Sequence, residues 1–250
     1  MNFCYYFAVF PRRISVVQKE PHACRAVGRR GDRRRAFTLL EMLIVMGIIT
    51  VLLVALTPAV TSLSKSNGRR AAVSALLGAI EQARAEAIKS GQATYVVFPI
   101  FTNGTESTLD RYNYKSYAIF EDDAANPGSV KQLTSWNPLP AGVALRSGGT
   151  AALSNLADPG YLSPVPTFRF TPDANAAPTY RCLKFNLNGE IEAPIAPPAN
   201  VLFAVFEGYV SNGNEVITGG NDGSGNPLAA EYLMISRMTG RAEPTAAPTP

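Results

Sequence analysis

Arg33-Arg34-Arg35-Ala36-Phe37-Thr38-Leu39-Leu40-Glu41, continuing into Met42-Leu43-Ile44-Val45-Met46-Gly47-Ile48-Ile49-Thr50-Val51-Leu52-Leu53-Val54-Ala55-Leu56, decides how this chain of 250 residues is organised. From Met42 to Ser64 there is no formal charge. A helix rising about 1.5 Å per residue crosses a hydrocarbon layer of roughly 30 Å in about 20 residues. The stretch therefore predicts one membrane-spanning helix, residues 37–64. Its arginine flank outweighs Lys65, Arg69 and Arg70 on the far side, which keeps the N-terminal side cytoplasmic and turns the remainder outward. Glu41 is the anomaly. A carboxylate costs on the order of 2.5–3.5 kcal/mol at a bilayer centre and less near the interface, so it needs a partner or a path to the headgroups.

The overall charge of +4 conceals a division. Residues 1–36 carry nine Lys and Arg against Glu20 and Asp32, while the rest has fourteen basic and seventeen acidic side chains, a net charge of −3. The basic character belongs to the leading segment and does not point to a nucleic-acid partner. Met1 to Phe10 is apolar but too short to span, and residues 1–36 read as a removable leader that takes no part in the fold. It contains Cys4, Cys24 and His22, the one histidine. Residues 37–250 hold a single cysteine, Cys182, so no internal disulfide can form and the apolar core must carry the fold.

Beyond the span, residues 65–91 read as a helix that continues it. Val73, Leu76, Leu77, Ile80, Ala83 and Ala87 make one apolar stripe, and Arg70, Glu81, Gln82, Arg84, Glu86 and Lys89 take the other face. Ser90-Gly91 ends the helix, with interruptions expected at Pro58 and Gly68. From Ala93 the period changes to two. Strands are predicted at Thr94–Phe101, Tyr114–Glu121, Val130–Trp136, Val143–Arg146, Thr167–Thr171, Arg181–Asn186, Val201–Tyr209 and Glu231–Arg237. Asn188-Gly189 and Thr239-Gly240 are turn signals, the first returning as a short strand at Glu190–Glu192. Asn103–Arg111, Ser147–Pro166 and Ser211–Asn226 read as surface loops, and 242–250 as a disordered tail. The fold class is α+β: a long N-terminal helix on a mostly antiparallel β domain, residues 92–241.

The basic run, a small residue and Phe37-Thr38-Leu39-Leu40-Glu41 leading into an apolar helix resemble the class III signal of type IV prepilins and type II secretion pseudopilins. Ile80 to Gly91 and the order of the β segments are similar to the minor pseudopilins of the GspH/FimT type. The resemblance implies a pilin-like fold and cleavage by prepilin peptidase between Ala36 and Phe37, followed by N-methylation of Phe37. Glu41 would then pair with the new Phe37 amine of a neighbouring subunit during assembly, and Pro58 would kink the helix. The family usually has glycine where Ala36 stands, which implies slower processing. Partners implied are the peptidase, other pilins or pseudopilins, an inner-membrane assembly platform and membrane lipid. The implied location is the inner membrane, single-pass, with a periplasmic C-terminal domain, and the implied role is as a structural subunit in secretion or pilus biogenesis.

Other constellations carry less. Asn221-Asp222-Gly223-Ser224-Gly225-Asn226 has hard oxygen ligands for Ca²⁺ but lacks a glutamate at the spacing an EF-hand requires, and such clusters make turns for backbone reasons. Glu121-Asp122-Asp123 reads as a solvated strand end. Without a histidine beyond the leader, a nucleophile elbow or a phosphate loop, no catalytic residue, cofactor or metal is expected. A competence-type pilin that binds DNA is the alternative. Against it, the C-terminal region offers Arg237 and Arg241 interleaved with Glu231 and Glu243, little phosphate-neutralising power.

Overall fold

The computed structural model describes residues 37–101, 109–194 and 200–247, with the side chains of 57–65 excepted. The expected leader, residues 1–36, lies outside the described residues. The chain divides into two compact units between Val51 and Leu52.

Within the first unit, α1 begins at Leu39, and α1 as a whole runs to Ser90. Thr38 starts it: its Oγ1 accepts the Glu41 N–H at 3.1 Å, satisfying one of the donors every helix leaves open at its N-terminus. The helix is continuous through Pro58 and Gly68, so the expected interruptions are corrected. A proline removes one backbone hydrogen bond, but the turns on either side can carry the helix past it.

In the second unit, α1 stops where Gly91 takes φ +66° and donates its N–H to Ala87 O at 3.0 Å. The buried stripe is Ala72, Val73, Leu76, Ala79, Ile80, Ala83 and Ala87, with Leu77 half-buried beside it. Four of these seven core positions are alanine, which lets the sheets come close to the helix.

Two sheets, antiparallel throughout, complete the unit. The first has the order β3-β2-β1-β6-β7, from β1 (Thr94–Ile100), β2 (Ser116–Asp122), β3 (Val130–Gln132), β6 (Thr179–Phe185) and β7 (Ile191–Ala193), with β4 (Asn137–Pro138) also on β2. The second has the order β11-β10-β8-β5, from β5 (Val143–Leu145), β8 (Asn200–Ser211), β10 (Ala230–Ser236) and β11 (Ala242–Thr245), with β9 (Asn214–Ile217) on β8. β1 is buried along its whole length because both its faces are covered. Val96, Phe98 and Ile100 point into a core shared by α1 and both sheets, where Phe98 meets Phe203 at 5.9 Å. Tyr95 and Val97 point into a second core with Phe120, Trp136, Phe168, Phe170 and Cys182.

Three further expectations are corrected. Residues 242–245 are not disordered: they pair with β10 from Tyr232↔Thr245 to Ile235↔Ala242. Pro244 is tolerated because β11 is an edge strand, where a missing N–H need not break a ladder. Asn214–Ile217, assigned to a loop, pairs with Gly208 to Ser211 as β9. Thr167–Thr171 joins no sheet, and Thr171 lies in a turn. Its alternating Phe168 and Phe170 serve packing against rings rather than ladder formation.

The two glycine turns meet. A Cβ on Gly240 would collide with the Gly189 carbonyl oxygen, and one on Gly189 would stand 2.8 Å from Ile88 Cδ1. Arg84 Nε donates to Thr239 O at 2.6 Å, and Ile191 N to Arg237 O at 3.0 Å. The last turns of α1 thus tie one hairpin of each sheet together.

Candidate functional site

The site with a chemical argument behind it is the start of α1. Thr38 stands at the cap and Glu41 three positions on, so the carboxylate lies in the first turn, where the helix dipole favours a negative charge. Phe37 is 69% exposed, and Glu41 is exposed as well. Among the described residues Glu41 has no ion-pair partner. Leu39–Leu56 is long and apolar enough to cross a membrane, and none of it is buried within the chain. Its polar hydroxyl at Thr50 is satisfied internally, donating to Met46 O at 2.7 Å. The result is an apolar rod with one acidic group near its tip.

Of the other residues singled out by sequence, Ala36 lies outside the described residues, and Pro58 is placed in α1 without a description of its side chain. The acidic stretch 121–123 does not converge on one point. Asp122 Oδ1 accepts from the Tyr95 hydroxyl at 2.8 Å, and Asp123 binds Asn126 Nδ2 at 2.7 Å within its own turn. Glu121 is buried with Oε1 unpartnered among the described residues.

Asp222 is likewise occupied by its own loop. Oδ1 accepts from the Ser224 and Asn226 N–H groups, each at 2.9 Å, and Oδ2 from Asn226 Nδ2 at 3.0 Å. The Asn226 side chain, foremost, holds this carboxyl below its usual range. Among the described residues no group of three or more His, Cys, Asp and Glu could hold a metal ion.

Two contacts escaped the sequence reading. Arg69 Nη1 meets Glu207 Oε2 at 2.8 Å, both largely buried, fastening α1 to β8. Arg84 was assigned to the solvated face but reaches Thr239 instead. Residues 138 and 155 positions apart give no local signal of such pairing.

Residues 31–57 match the prokaryotic N-terminal methylation motif, and residues 72–191 match the type II transport protein GspH. Over these two stretches the chain is similar to the type IV prepilins and type II secretion pseudopilins. Among solved structures it is similar to the type IV minor pilin FimU of Pseudomonas aeruginosa, at 15% identity over 73% of this chain and 90% of that one, with a TM-score of 0.35. It is also similar to the minor pseudopilin EpsH from the Type 2 Secretion System of Vibrio cholerae, at 15% identity over 72% and 96%, with a TM-score of 0.37. No curated protein sequence matches significantly. The pilin and pseudopilin families are structural subunits rather than enzymes. The pilin and pseudopilin family implies processing by prepilin peptidase and assembly with other pilins. The one-helix, antiparallel-sheet organisation expected of a pilin-like chain is present.

Proposed function

We propose that this pseudopilin is cleaved between Ala36 and Phe37, methylated on the Phe37 amine, and held in the inner membrane by 37–64 with its C-terminal domain in the periplasm. It then enters a filament of a type II secretion or type IV pilus machine as a minor structural subunit. The supporting observation is the capped start of α1: Glu41 stands as an exposed carboxylate at the tip of an eighteen-residue apolar rod, none of it buried. In lipid such a charge needs a counter-charge. A freed, protonated Phe37 amine on an adjacent subunit supplies one. Pro58 gives α1 a point at which it can bend during packing.

N-terminal sequencing with mass analysis of the membrane-extracted protein tests the reading: a chain starting at N-methylated Phe37 is expected, and an intact leader overturns it. Glu41→Ala is expected to leave cleavage unchanged while cutting incorporation into the filament fraction at least tenfold, in line with the loss of one partnered charge. Normal incorporation of that variant would remove Glu41 from the assembly step.

A further inference from the structure

Where α1 enters the β domain, three segments close around one of its turns. A Cβ on Gly68 would stand 3.5 Å from Val143 Cγ2 and 3.8 Å from Pro140 Cβ. Glu207 takes Arg69 at 2.8 Å, and Gly208 beside it donates its N–H to Gly142 O at 2.9 Å. Gly219 lies against Glu207, where a Cβ would be 3.3 Å from Oε2, and Gly220 O accepts the Leu228 N–H at 3.0 Å. The rim so formed carries apolar side chains in the open. Leu228 is 69% exposed, and Tyr209 is exposed together with Val216, its partner across the β8–β9 ladder. Paired residues of a ladder share one face. Lys115 Nζ lies over the Tyr209 ring at 5.7 Å. Arg70 is exposed and pairs with no carboxylate among the described residues. Asp222, the one carboxylate in 218–229, is occupied by Ser224 and Asn226.

Chain connectivity puts a bilayer beside this rim. No charge intervenes from Met42 to Ser64, and Arg70 follows six residues later on the same continuous helix, about 9 Å on at 1.5 Å per residue. The headgroup layer on each side of the hydrocarbon is about 5–7 Å deep. Arg70, and the loops packed at residues 68 and 69, therefore stand level with the headgroups or just outside them. A tyrosine ring, an open leucine and two cations suit that layer, where aromatic rings and long cationic side chains anchor and phosphates attract positive charge.

We propose that Arg70, Lys115, Tyr209 and Leu228 form a footing that rests on the headgroups of the leaflet facing the domain, with anionic phospholipid as its ligand; this builds on the membrane anchoring proposed above. Leu228 and Tyr209 enter the boundary between headgroups and acyl chains, and Arg70 and Lys115 meet phosphate. The Arg69–Glu207 pair fastens α1 to β8 at the same level, so the footing cannot swing away from the helix without breaking a largely buried ion pair. A subunit leaving the membrane must then free both its span and its footing.

The full chain, carrying a diazirine photocrosslinking residue in place of Leu228 and reconstituted in vesicles, tests this by mass analysis of lipid adducts. One set of vesicles is phosphatidylcholine alone and the other adds phosphatidylglycerol. The same residue in place of Leu43 reports the span, and in place of Leu187, exposed on the turn beside the far end of α1, reports a surface away from the rim. Lipid adducts are expected from 43 and 228 but not from 187, with those from 228 stronger when phosphatidylglycerol is present. Arg70→Gln should lower the phosphatidylglycerol adduct from 228 about fivefold while leaving that from 43 unchanged, and Arg70→Lys should keep it. Unchanged Trp136 emission verifies that both variants are folded. Adducts from 43 without adducts from 228 overturn the footing and leave the anchoring standing. Adducts from 228 no stronger than from 187, or indifferent to phosphatidylglycerol and to Arg70→Gln, also overturn it. Absence of lipid adducts from both 43 and 228 overturns the anchoring as well.

Discussion

Leu76 is the position at which the union of α1 with both sheets can be measured. It is fully buried in the core with Phe98, Phe185, Phe203 and Leu233. Leu76→Ala removes three carbons, about 2.4 kcal/mol at about 0.8 kcal/mol per buried methylene. The cavity left against rigid strands adds to this, giving roughly 2–5 kcal/mol in total. Leu77, one residue on but half-buried, should lose less than half as much on the same substitution.

Trp136 is the sole tryptophan and lies in the other core, across the first sheet from Leu76. Urea unfolding of the full chain in detergent micelles, followed by Trp136 emission and by helical circular dichroism, therefore reads both cores at once. With a slope of about 1–3 kcal/mol per molar urea, Leu76→Ala should lower both midpoints together by about 1–2 M. If the helical signal moves and the Trp136 signal stays, the two cores do not unfold as a unit. If Leu77→Ala costs as much as Leu76→Ala, the assignment of the buried stripe is wrong.

Gly240→Ala should destabilise more than Gly223→Ala. Both sites have positive φ, worth about 1–3 kcal/mol of strain, but a Cβ at 240 also strikes the Gly189 carbonyl while one at 223 meets open space; equal thermal shifts would refute the meeting of the two hairpin turns. Burial pushes the Cys182 thiol up to about 12, against 9.0 when exposed. In the unfolded chain the proton leaves first, so stability is intact below pH 9 and declines as pH rises from there. Cys182→Ala should flatten that decline between pH 9 and 10, and wild-type Cys182 should resist maleimide at pH 8 until urea is added. Rapid labelling of the folded chain would contradict its burial.

The turn at Asn188-Gly189 and the return strand after it were readable from residue types, because a positive φ of +78° selects glycine locally. Thr167–Thr171 misled for the opposite reason. Its alternation is real, but period two reports burial of one face and is indifferent to whether a hydrogen-bonding neighbour exists. The tail at 242–245 misled because composition alone cannot see that an edge strand has a neighbour on one side to pair with.

By itself the sequence determined the apolar rod, its single acid, the helical stripe and most strand positions, all properties of residues close together in the chain. Only the tertiary structure decided the division of strands between two sheets, the Arg69–Glu207 clasp, the redeployment of Arg84 to a hairpin turn and the packing of Phe168 and Phe170 into the second core. These depend on which distant segments meet. Local periodicity says which side of an element is apolar, whereas packing alone selects what covers it.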